Sequence, residues 1–169
     1  MLQVNIKKLS NDAVVPSYAK DGDAGMDLTA TSKSYDEHGN VVYGTSLAFE
    51  IPKGYVGYLF PRSSNTKKDL ILGNSVGVVD SGYRGEVVFK FKPSIEFVTH
   101  SFAVNQKCGH MPHIHDQYEI GDRIGQIIIM PIPEIKFNVV DELSSSDRGV
   151  GGFGSTDPIT KSIQENFEV

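Results

Sequence analysis

The sequence predicts an all-β fold, a closed or double-sheet barrel of about ten short strands, and three observations carry that prediction. Apolar residues recur in short alternating or continuous runs bounded by Gly, Pro, Asn and Asp, with little sign of helical spacing. The 17 glycines and 8 prolines supply turns from end to end. Residues 86–92 alternate cleanly, with Val87, Phe89 and Phe91 on one face and Glu86, Lys90 and Lys92 on the other, as a strand between core and water must.

Taken in order, strands are expected at residues 4–9, 26–31, 46–51, 55–60, 71–72, 76–79, 86–91, 101–104, 124–130 and 135–140. In the first, Val4 and Ile6 alternate with polar neighbours. Residues 35–45 read as a loop whose cluster Asp36, Glu37, His38, Gly39 and Asn40 can cap a hairpin between Tyr35 and Val41. The strand at 55–60 stops at Pro61. The strands at 76–79 and 86–91 meet at a tight connection and are expected to form a hairpin. Ile127, Ile128, Ile129 and Met130 are apolar in succession, so that strand should be covered on both faces, a first pointer to a partner subunit. Residues 93–121 form a long irregular segment holding four of the five histidines. After Leu143 the composition shifts to Ser144, Ser145 and Ser146, then Gly149, Gly151, Gly152 and Gly154, which cannot build a core. The expected organisation is a barrel domain over 1–143 and a flexible glycine-rich arm over 144–169.

At 18.5 kDa the chain has the size of one domain. Its net charge of -5 argues against a nucleic-acid polymer as partner, because such affinity rests on clustered cations. A small polyanion stays open, since a few cations, backbone amides and a metal grip it locally. The one cysteine, Cys108, forms no internal disulfide, and no apolar run approaches the ~18 residues of a membrane span, so a soluble cytoplasmic protein with no membrane partner is expected.

Five short segments carry chemistry, and each alone also has an ordinary structural reading. Gly25-Met26-Asp27 sets a carboxylate at the start of a strand, where turn acids are common. Pro61-Arg62-Ser63-Ser64 presents a guanidinium and two hydroxyls suited to phosphate, or caps a short helix. The stretch from Gly73 and Asn74 through Gly77, Val79 and Asp80 to Tyr83, Arg84 and Gly85 places a carboxylate able to hold and polarise a water at a strand connection. Gly121-Asp122-Arg123-Ile124-Gly125-Gln126 leads into the apolar strand, where the Gln126 amide needs either backbone partners or a ligand. Arg148, Phe153, Gly154, Ser155 and Thr156 lie in a run whose amides can wrap an anion or simply form a mobile tail.

In this order, across roughly residues 4–157, the five segments resemble the signature motifs of the trimeric dUTPase family. The resemblance implies a distorted jelly-roll barrel, a homotrimer with active sites shared between subunits, and a C-terminal arm closing over dUTP. It further implies that Asp80 activates the water attacking the α-phosphorus, and that Tyr83 packs beneath the deoxyribose and excludes a 2'-hydroxyl. Asn74, with the backbone around Gly77 and Val79, would read uracil. Arg62, Ser63, Ser64 and Gln126 would hold the phosphates, with Ser63 near the α,β-bridging oxygen. Arg148 would reach the γ-phosphate and Phe153 would cover the base, with Gly154 and Ser155 completing the arm. The implied cofactor is Mg2+, chelated by the phosphates, its water shell gripped by Asp27.

Met26 stands where the family often has another apolar residue, and both the 93–121 segment and the tail beyond Pro158 look enlarged. Three rival readings follow. Cys108, His110, His113 and His115 carry zinc-ligand chemistry, though their spacing fits no standard module. The related dCTP deaminases place a catalytic Glu five residues after the glycine matching Gly85, where this chain has Lys90. The scaffold could also serve as a regulatory module docking a protein partner through residues 93–121.

Overall fold

The computed structural model describes residues 1–94 and 116–152. The strand expected at 101–104 and the cysteine–histidine cluster lie outside the described residues. The described residues form ten strands: β1 Asn5–Lys8, β2 Met26–Thr29, β3 Ser32–Tyr35, β4 Val41–Gly44, β5 Leu47–Glu50, β6 Tyr55–Phe60, β7 Leu70–Leu72, β8 Gly77–Val79, β9 Val88–Pro93 and β10 Arg123–Pro131. They form two four-stranded antiparallel sheets, β2-β10-β6-β8 and β3-β4-β9-β7, with a β1-β5 ribbon beside them. This is the expected all-β, distorted jelly-roll architecture. The described residues divide into two units, Met1–Glu134 and the chain from Ile135 onward.

Inside the first unit the alternation of residues 86–92 does what period two demands. Val87, Phe89 and Phe91 are buried against Tyr43, Leu28, Ile124 and Ile127, while Lys90 and Lys92 face outward. Tyr43 meets Phe91 edge-on and is buried through its ring, its hydroxyl donating to the Tyr118 carbonyl at 2.9 Å. Burial without a partner for that hydroxyl is costly, so the bond lets a polar tip sit in the core.

Three strand expectations need correction. The turn cluster at 36–40 does cap a hairpin, but its first arm, β3, is a strand in its own right despite the polar sequence of Ser32, Lys33 and Ser34. Among the described residues it is an edge strand that pairs only with β4, so it needs little apolar content. Residues 135–140 alternate like a strand yet form no ladder, and Ile135, Phe137 and Val139 are exposed. Alternation without a neighbouring edge leaves the backbone nothing to pair with. Finally, β8 and β9 are not partners: β8 pairs with β6, and β9 with β4 and β7, so the expected hairpin is an arch between two sheets. β10 differs in degree: Ile127 is buried, Ile128 and Ile129 are half-buried, and Met130 is exposed, so one chain does not cover both faces.

Candidate functional site

The arch opens a pocket because its arms part. β8 is the outer strand of its sheet, bonded to β6 on one edge, and the return limb at Glu86, Val87 and Val88 joins the other sheet. Between them lies a cavity of about 180 Å³ walled by Leu59, Gly77, Val79 and Val87, with Asn74, Asp80 and Tyr83 at its polar rim. Gly77 is needed there, since a Cβ would lie 2.9 Å from Leu59 Cβ. The arch tip is a turn in which Tyr83 N–H donates to the Asp80 carbonyl at 3.0 Å, and Tyr83 Oη donates to the Glu86 carbonyl at 2.9 Å. Among the described residues the exposed Asp80 carboxylate has no hydrogen-bond partner.

Two acids brace this arch, and the sequence motifs assigned neither a role. Glu86 accepts the Ser46 amide at 2.7 Å, holding the return limb to the turn between β4 and β5. Glu50 accepts from Arg84 Nη2 at 3.3 Å, and the same guanidinium donates to the Ser81 and Tyr83 carbonyls at 2.7 and 2.8 Å. The Asn5 amide bonded to Glu50, together with Arg84, holds that carboxyl below its usual range.

A second polar cluster occupies the far end of β6. Gln126 stands opposite Asp27 on β2 and Phe60 on β6, which brings three of the five motifs side by side. Beyond Phe60 the chain enters a 3-10 turn, Ser63–Lys67. Arg62 Nε donates to Asp27 Oδ1 at 2.8 Å and its Nη1 to Ser64 Oγ at 3.2 Å. Arg123 Nη1 donates to Asp27 Oδ2 at 3.0 Å. Gln126 Nε2 reaches the Pro61 carbonyl at 3.4 Å, and its Oε1 lies where a Cβ on Gly25 would sit, so this close approach requires glycine. Ser63 is exposed beside this cluster. Arg123 borders the register shift in β10 and faces Asp27, a relationship visible only once the strands are paired.

The structure does not join the two ends in one chain. β8 runs antiparallel to β6, so Val79 lies opposite Gly57 and Asp80 falls beside the start of β6. The Arg62 cluster follows its end, with about 13 Å of strand between the two levels at ~3.3 Å per residue. In the second unit Arg148 Nε donates to the Gly151 carbonyl at 3.0 Å, closing a local turn. Phe153, Gly154 and Ser155 lie outside the described residues. Lys90, at the deaminase acid position, donates to Asp36 at 3.2 Å.

Fold and site define a class: an all-β barrel that presents a carboxylate-rimmed apolar pocket and, separately, an anion-ready cluster of guanidinium, hydroxyl and amide groups. The dUTPase family model matches residues 11–100 and 116–157. A deoxyuridine 5'-triphosphate nucleotidohydrolase of Clostridium acetobutylicum is 35% identical over 161 residues, covering 92% of this chain and 97% of that one. Its counterpart from Thermobifida fusca is 36% identical over 157 residues, covering 92% and 79%. Among solved structures, the Staphylococcus bacteriophage 80alpha dUTPase with dUPNHPP superposes with a TM-score of 0.72 at 30% identity, over 92% of this chain and 98% of the other. The chain belongs to the dUTPase family. Among the described residues no helix is long and apolar enough to cross a membrane.

Proposed function

We propose that the chain hydrolyses dUTP to dUMP and pyrophosphate by attack of a water on the α-phosphorus, at sites shared between the subunits of a homotrimer. The observation that carries this reading is the division of one motif set between the two ends of β6. A free carboxylate sits at an apolar pocket on one end, and a phosphate-ready cluster sits on the other. A neighbouring subunit whose Arg62 end faces the arch closes that gap. Exposed Val78 and the incompletely covered Ile128, Ile129 and Met130 offer apolar surface for such a contact.

In this reading uracil enters between the arms of the arch. An outer strand presents backbone donors and acceptors in a row, which suits the Watson–Crick edge of a base, and Asn74 adds a side-chain amide. Tyr83, tied to the Glu86 carbonyl, packs under the sugar and leaves no room for a 2'-hydroxyl. Asp80 orients a water and takes its proton. Arg62, Ser63, Ser64 and Gln126 hold the phosphates with charge-assisted bonds aimed where charge grows as pyrophosphate leaves. Arg148 and the following residues close the site from the arm, with Phe153 over the base and Gly154 and Ser155 around the phosphates, which excludes bulk water.

Both oxygens of Asp27 already accept from arginines, so this acid fits outer contact with a hydrated ion and does not fit direct ligation. A magnesium ion chelated by the substrate's own phosphates, its waters held by Asp27, would neutralise charge on the departing pyrophosphate.

The test is pyrophosphate release from dUTP, dTTP, dCTP and UTP by wild type and Asp80→Asn. Efficient turnover of dUTP alone is expected, with the amide variant binding nucleotide but slowed by at least ~10²-fold. Similar turnover of all four nucleotides, or an unimpaired Asp80→Asn, rejects the reading.

A further inference from the structure

The 3-10 turn that carries the phosphate cluster has little to hold it in place. It has no side-chain N-cap and no buried residue of its own, and such short turns depend on outside contacts for their shape. One contact comes from a residue that none of the five motifs contains.

We propose that Tyr118 is a positioning residue for the phosphate-binding turn, acting through Asn65 on Arg62; this rests on the hydrolase reading above. Tyr118 is 3% exposed. Its ring lies 6.0 Å from that of Tyr43 and 5.8 Å from that of Phe91, and its carbonyl accepts the Tyr43 hydroxyl at 2.9 Å. A ring fixed on three sides delivers its phenol oxygen to one place. There it donates to Asn65 Oδ1 at 3.2 Å. The Asn65 amide donates in turn to the Leu70 carbonyl at 2.8 Å, closing the turn onto β7. The Asn65 backbone N–H donates to the Arg62 carbonyl at 2.9 Å, so the core aromatic is tied through Asn65 to the residue that carries the guanidinium, whose Nη1 donates to Ser64 Oγ at 3.2 Å. Burial pushes the phenol above its usual range. Lys68 Nζ, 5.3 Å above the ring and bonded to Asp116, covers its outer face.

Tyr118→Phe removes the hydroxyl and keeps the packed ring. It is expected to raise KM for dUTP by about 5- to 20-fold, the range of one to two hydrogen bonds, and to leave deoxyuridine affinity unchanged because the arch is untouched. Asn65→Ala should show the same phosphate-selective loss, and the double variant should be no worse than Asn65→Ala alone. Unchanged KM for dUTP in Tyr118→Phe overturns the proposal. So does equal weakening of dUTP and deoxyuridine, the mark of a general structural role, and so do additive effects in the double variant. Wild-type protein that binds deoxyuridine yet leaves dUTP intact overturns the hydrolase reading itself, and that result is read before any variant is made.

Discussion

Arg62 donates through Nε to Asp27 Oδ1 at 2.8 Å, while Arg123 occupies the other oxygen at 3.0 Å, so one carboxylate aims two guanidinia. Asp27 and Arg62 are each about 25% exposed, shielded enough for the charge-assisted bonds to count. Asp27→Asn keeps the shape but turns an amide N–H toward one arginine. Urea denaturation should report a loss of about 1–3 kcal/mol, and kcat/KM for dUTP should fall by more than ~10-fold. Wild-type values of both would show that the carboxylate orients nothing.

The hairpin between β3 and β4 sets an acid limit on stability. Asp36 accepts from the Asn40 side chain, the Asn40 and His38 amides and Lys90, and the Asn40 side chain contributes most to holding its carboxyl far below the usual carboxylate range. A folded-state value depressed in this way stabilises fully above the ordinary value near 4 and is lost as pH falls below it. Glu50, also depressed, adds in the same direction. Melting temperatures from pH 7 to pH 2 should therefore drop more steeply for wild type than for Asp36→Asn, the two curves converging at the acid end. Parallel curves would remove Asp36 from the account.

These two clusters differ in how far the sequence foretells them. The turn at 36–40 is local, so Asp36, Gly39 and Asn40 announce it within five residues. The alternation of Val87, Phe89 and Phe91 likewise assigns the core face directly. Arg123, Tyr118 and Glu86 act across 96, 53 and 40 residues of chain, and nothing in their own neighbourhoods marks the partner. The arch resembles a hairpin in the sequence for the same reason: two apolar runs around a tight turn look identical whether the runs pair with each other or with different sheets. Residues 135–140 show the converse, a strand pattern that forms no ladder because alternation alone does not supply a neighbouring edge.

Gly125 marks where β10 meets the other sheet. A Cβ there would collide with the Phe89 ring and lie 3.0 Å from the Phe60 carbonyl, and Phe89 is fully enclosed. Gly125→Ala is expected to cost about 1–3 kcal/mol by urea denaturation through overpacking. Adding Phe89→Leu, which frees space at the same point, should recover part of that loss. If Gly125→Ala is as stable as wild type, the two sheets yield more readily than their packing indicates.

The separation of Asp80 from Arg62 along β6 leads to a complementation experiment. Asp80→Asn chains retain the phosphate cluster and lack the water-activating acid; Arg62→Ala chains retain the acid and lack the guanidinium. If each site joins the arch of one subunit to the Arg62 end of another, neither variant alone is active, yet a mixed trimer contains sites that draw the sound half from each. Random assembly of equal amounts makes about one site in four fully intact, so co-refolded mixtures should recover roughly a quarter of wild-type turnover. Sites built within one chain recover nothing, because every site then carries a lesion. Recovery should also vanish when the two proteins are combined folded and assayed before their subunits exchange, which separates shared sites from contamination by wild-type enzyme.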